Sequence, residues 1–188
     1  MRKIKTFEWI ILLFNIIYLV IFTFIFAERA NYEFLLYTVV VAFFVVFIAI
    51  LHLKYNFSYF VLSGLSMWGL LHMLGGGIIA NKMVLYAYQL LPFLRYDMFV
   101  HLFGFFFATL FSYYVLKPYL KKTSFAVLIF LAFIGMGLGA LNEIVEFIAV
   151  LVMPQTGVGG YENTMLDIVF NTIGSILAVI WIKLKEKS

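Results

Sequence analysis

Glu143 and Glu146 stand three residues apart in "GALNEIVEFIAV", a run of the chain that is otherwise almost wholly apolar. Three more stretches put ionisable or amide side chains into similarly apolar surroundings: His72 in "LLHMLGG", Asp97 and His101 in "RYDMFVHLFGF", and Asn163, Asp167 and Asn171 in "NTMLDIVFNTIG". A charge near the middle of a bilayer costs at least about 2.5 kcal/mol even on lenient insertion scales, so carboxylates placed there are candidates for chemistry. Imidazole nitrogen and carboxylate oxygen are donors that a divalent cation such as zinc accepts in an open catalytic site. His72, Asp97, His101, Glu146 and Asp167 therefore read as a candidate metal-ligand set. Glu143 and Glu146 read as candidate catalytic carboxylates, one of them a general base that activates water. Asn163 and Asn171 are supporting amides. Without an ion, close carboxylates would share protons, because like charges in a low dielectric resist ionising together. A protonated carboxyl hydrogen-bonded to His101 is then the alternative arrangement.

The elements that must position these residues are membrane helices. Of the 188 residues, 65% are apolar and 12% charged, and the mean hydropathy is +1.09, far outside the range of soluble domains. Breaks in the apolar runs predict helices at 7–27, 34–53, 57–80, 97–116, 124–152 and 164–184. About 20 apolar residues are needed per crossing, so six crossings exhaust the chain. The expected fold class is all-α: one polytopic domain over residues 1–188, with scaffold helices in 7–53 and site-bearing helices in 57–184. Pro92, Pro118 and Pro154 all fall in gaps between runs, as helix breakers should. The first run follows the basic "MRKIK" but is too long for a signal peptide and lacks a convincing cleavage site, so it reads as a retained helix.

Charge sets the expected orientation. With the N-terminus inside, the inner segments hold Arg2, Lys3, Lys5, Lys54, Lys117, Lys121, Lys122, Lys183, Lys185 and Lys187, and the outer segments hold Arg29, Lys82 and Arg95. The positive-inside rule then puts both termini in the cytoplasm of a multi-pass cell-membrane protein. The same distribution, in short clusters rather than along one face, explains the net charge of +4 without nucleic acid. No cysteine is present, which excludes disulfides, thiolate ligands and a cysteine nucleophile.

In this topology the polar residues of helices three to six reach similar depths in the outer half of the membrane. His101 lies about 6 Å below Asp97, and His72, Glu146 and Glu143 lie roughly 9–14 Å from the outer helix ends at 1.5 Å per residue. Helical spacing aligns Gly64, Trp68, His72 and Gly75; Asp97, His101, Gly104 and Ala108; Gly135, Gly139, Glu143 and Glu146; and Asp167, Asn171, Gly174 and Ala178. Small residues permit close helix contact in lipid, so these four stripes are expected to face one another. Structural roles are open to the same residues. Asp97 sits where acidic groups favour a helix start, Thr164 with Asp167 resembles a capping box, and His72 can serve packing. "LGGGIIA" lacks the pattern of a phosphate loop and reads as a close approach or a break, and "MPQTGVGGYEN" reads as a connector or a lid.

At these residues the chain resembles the YjdF-like family of small bacterial multi-pass membrane proteins. "LLHMLGG" is similar to its Leu-His-x-x-Gly segment, "RYDMFVHLFGF" to its Tyr-Asp-x-x-x-His-Phe-x-x-Gly segment, "LNEIVEF" to its Tyr-Glu-x-x-Glu-Trp segment, and "GGYENTMLDIVFNTIGS" to its closing Asp-rich segment. Gly160 and Asn163 stand where that family tends to have aspartates. The resemblance covers residues 70 to 178 and implies functional weight for His72, Asp97, His101, Glu143, Glu146 and Asp167, without an established reaction. The order of these motifs is also loosely similar to that of VanZ-like proteins. Membrane lipids and a lipid-linked or small-molecule substrate are the expected partners, and metal-dependent hydrolysis of a lipid or cell-envelope precursor is the leading expectation. A solute-binding or proton-coupled transport protein using the same residues is the alternative. The helix count is similar to that of energy-coupling-factor binding subunits, but helix one lacks their Ala-x-x-x-Ala pattern. An assembly factor whose polar cluster only packs is a third reading.

Overall fold

The structure is a computed structural model and describes residues 4–153 and 156–186. Six helices dominate it: α1 (Thr6–Glu28), α2 (Tyr32–Tyr55), α3 (Tyr59–Gly77), α4 (Tyr96–Leu116), α5 (Phe125–Val152) and α6 (Tyr161–Lys185). All six are long and apolar enough to cross a membrane. The protein is therefore an all-α multi-pass membrane protein, and its helix ends lie within three residues of those read from the sequence. Arg2, Lys3, Lys187 and Pro154 lie outside the described residues.

The helices start where polar side chains can satisfy free backbone N–H groups. Asn31, Ser58 and Ser124 accept from the backbone of Phe34, Val61 and Val127, and Glu8 accepts from the N–H of Lys5 at 3.0 Å. α3 ends earlier than the predicted residue 80. Arg29 Nη1 donates to the carbonyl of Gly77 at 2.7 Å and so satisfies one exposed acceptor at that end. A Cβ on Gly75 would run into the ring of Tyr86, so the close approach expected of "LGGG" is present.

The segment after α3 holds two small antiparallel hairpins, the first of which begins inside the helix predicted for 57–80 and the second in the gap that follows it. β1 (Ile79–Ala80) pairs with β2 (Met83–Val84), and β3 (Gln89–Leu91) pairs with β4 (Leu94–Arg95). The first turn consists of Asn81 and Lys82, both at positive φ (49° and 65°), as a tight two-residue hairpin turn requires. Pro92 sits in the second turn, where its missing N–H breaks no ladder.

Chain contacts divide the molecule into two compact units, residues 1–96 and 97–188. In the first, α1 packs on α2 and α3 around Phe22, Phe26, Phe34, Tyr37, Val61 and Met73. The sequence grouped α3 with the site-bearing helices, and its contacts join it to α1 and α2. In the second unit α5 packs along α6, and α6 meets α4 so closely that a Cβ on Gly174 would strike the backbone of Leu102.

Candidate functional site

The second unit brings one histidine and four carboxylates together. His101 lies one turn into α4 below Asp97, and its buried ring touches three acidic side chains. Nε2 is 3.4 Å from Asp97 Oδ1 and 3.8 Å from Glu146 Oε1, and Nδ1 is 3.6 Å from Glu143 Oε1. Nδ1 also lies 3.0 Å from Asn171 Oδ1. An amide oxygen only accepts, so Nδ1 donates to it, and Nε2 faces Asp97 and Glu146.

Amides tie the carboxylates into one arrangement. Asn163 Nδ2 donates to Asp97 Oδ2 at 3.2 Å and also to Asp167 Oδ2, which joins the first turns of α4 and α6. Asn142 Nδ2 donates to Glu146 Oε1 at 2.9 Å. A Cβ on Gly139 would sit 2.8 Å from Asn171 Cβ and Nδ2, so glycine there gives Asn171 its place beside His101. Asp167 and Asn171 are 0% and 1% exposed, and Glu143 is 8% exposed with neither carboxylate oxygen in a hydrogen bond. The sequence of α4, of α5 and of α6 as far as residue 182 contains no lysine or arginine. Within these helices, then, the acidic charge is offset by His101, by protons or by a bound cation.

The donor set fits a divalent ion. Among the described residues, Asp97, His101 and Asp167 form one group, and His101, Glu143 and Glu146 a second, each with ligand atoms within 4.8 Å of one another. Zinc binds nitrogen and oxygen at about 2 Å, so two of its ligands stand at most about 4 Å apart, and modest side-chain rotation closes either group on an ion. His101 belongs to both.

His72 belongs to neither group. It lies in the first unit, where its Nδ1 shares a hydrogen bond with the Tyr86 hydroxyl and its ring sits 5.3 Å from that of Tyr37 and 5.9 Å from that of Phe34. The capping box read for Thr164 and Asp167 is also corrected. α6 begins at Tyr161 with Gly160 as its cap residue, so Thr164 lies inside the helix and Asp167 in its second turn, fully buried. Asp97 does lie in the first turn of α4, where an acidic group suits the helix dipole as well as the cluster. The sequence reading missed a second buried polar pair, Glu8 with His52, whose Oε1 and Nε2 lie 3.2 Å apart. Its signal was available as ionisable residues at the facing ends of two consecutive apolar runs. It also missed Asn142 and Tyr86, which hold Glu146 and His72.

Fold and cluster together define a class: a six-helix membrane protein whose last three helices carry a buried histidine among carboxylates. The chain belongs to the family described as "Predicted membrane protein (DUF2238)", whose profile matches residues 9–188. YjdF is part of that family, so the motif resemblance and the profile agree. No curated protein and no solved structure matches the chain.

Proposed function

We propose that the protein is a cell-membrane metalloprotein, both termini cytoplasmic, whose cluster binds one divalent cation and hydrolyses a lipid or lipid-linked envelope precursor. The observation that carries the reading is His101, buried among Asp97, Glu143, Glu146 and Asp167 within membrane-crossing helices. His101 Nε2 with Asp97, Asp167 and Glu146 would hold the ion, and zinc is the best match to one imidazole and several carboxylates. A bound ion supplies Lewis acidity toward a carbonyl or phosphoryl oxygen and lowers the pKa of water. Glu143, whose Oε1 lies 3.6 Å from His101 Nδ1 and whose oxygens make no hydrogen bond, would serve as general base toward a water beside the ion. Asn171 keeps the His101 proton on Nδ1.

The test begins with elemental analysis of the detergent-purified protein beside His101→Ala and Glu146→Gln. About one zinc, iron or manganese per chain, lost in both folded variants, supports the site. Assays against lipid-linked phosphate and amide substrates then test hydrolysis, and metal at full occupancy with no turnover of any of them would leave a structural ion. A metal-free wild type after resupply overturns the metal reading. It would favour proton-coupled transport, for which carboxylates 3.4–3.8 Å from one imidazole are suitable relay partners.

A further inference from the structure

A cavity of about 300 Å³ lies in the first unit between α1, α2 and α3. Most of its lining residues are aliphatic, and Trp9, Val46, Ile50 and Leu53 among the lining are more than half exposed, so it opens at the helix surface rather than into the helix core. Four buried polar residues also line it: Glu8, Asn15, His52 and Ser66. They are engaged with one another or with backbone. Glu8 holds His52 and the N–H of Lys5, and the Asn15 amide donates to Ile11 O and Ser66 Oγ and accepts from Tyr18 OH. The interior thus offers an occupant mainly hydrocarbon contact.

Depth and charge narrow the occupant further. From Glu8 to Asn15 the cavity descends about 10 Å along α1, which stays within the roughly 15 Å of hydrocarbon in one leaflet. At one end the lining reaches Ile4 and Leu53, and the next residues in the chain, Lys5 and Lys54, hold their ammonium groups 5.7 Å and 5.1 Å from the ring centres of Tyr59 and Tyr55. Lysine anchored on interfacial aromatic rings is the arrangement that meets a phosphate at the headgroup level. We propose that this cavity is a specific site for one anionic phospholipid, with an acyl chain between α1, α2 and α3 and its phosphate at Lys5 and Lys54.

Native mass spectrometry of the full chain tests it, after equilibration in bicelles of mixed phosphatidylglycerol and phosphatidylcholine. The wild type should retain about one phosphatidylglycerol per chain. Ala49→Phe and Val46→Phe, which fill the cavity from its lipid side, should each lower retention at least tenfold while circular dichroism stays that of the wild type. Lys5→Ala with Lys54→Ala should keep a bound lipid but lose the preference for phosphatidylglycerol. Equal retention in the wild type and a folded filled variant overturns the site. So does a wild type that takes both lipids alike, or a dimer that forms in place of lipid binding and is blocked by Val46→Phe. Should neither filled variant fold, the lysine variant decides alone, and an unchanged headgroup preference there rejects the proposal.

Discussion

At the scale of single residues, the cluster depends on what surrounds His101 as much as on His101 itself. Asn171 accepts from Nδ1 and so fixes which nitrogen faces Asp97 and Glu146. Gly139 in turn leaves Asn171 the room to do so. Partners of this kind are worth about 10–100-fold in metal affinity at sites where histidine binds a cation. Gly139→Ala should therefore weaken zinc binding by about that factor in a calorimetric titration, with stoichiometry and helical content unchanged. Unchanged affinity would show that Asn171 does not orient the ring. A second residue, Glu186, ends α6 in the solvent-exposed region beyond the spans. Slight burial pushes its carboxyl up, and hydrogen bonds from Thr123 and Tyr113 outweigh this and hold it below its ordinary value of 4.5. A lowered carboxylate adds stability above the unfolded value, and that stability is lost as pH falls through the folded one. Glu186→Gln should thus melt below the wild type at neutral pH, and the gap should close as pH falls from neutral to well below 4.5. A gap that is the same at both ends of that range would remove the charge from the explanation.

At the scale of elements, the spans were legible because hydropathy over some twenty residues decides them, and polar caps such as Ser58 and Ser124 mark their starts. The start of α6 was read late because "YEN" looks like loop, yet Glu162 and Asn163 form its first turn and Asn163 joins two carboxylates. The hairpins were not legible, since strands of two or three residues carry no period and Asn81–Lys82 lacks the glycine that signals such turns. Stripes of small and polar residues on α4, α5 and α6 did indicate the faces that meet. The same reasoning put His72 with them on depth alone, and depth says how far into the membrane a residue lies, not which side chains it meets. The aromatic partners of His72, especially Tyr86 from the segment after α3, come from contacts that no local pattern encodes.

At the scale of the whole molecule, six crossings require both termini on one side, and the proposed orientation, with the basic segments inside, is open to a direct test. The chain has no cysteine, so a single introduced one reports its own position. Lys82→Cys, in the turn between β1 and β2, should react with a membrane-impermeant maleimide in intact cells. Lys121→Cys, between α4 and α5, should react only after permeabilisation. Labelling of both from outside would contradict six crossings, and the reverse pattern would invert the orientation and put the His101 cluster on the cytoplasmic half.

Where α6 crosses α4, Gly174 leaves backbone lying on the backbone of Leu102 and Phe106, with no side chain between them to yield. That crossing lies one turn from both His101 and Asn171, so it acts as a fixed calliper on the donors above it. A stiff cage discriminates among cations by ionic radius, whereas a soft one follows its ligands' affinity alone. Gly174→Ala prises the calliper open at an overpacking cost of about 1–3 kcal/mol. Competitive titration of the folded variant should then show selectivity drifting from zinc toward the larger cadmium and calcium ions.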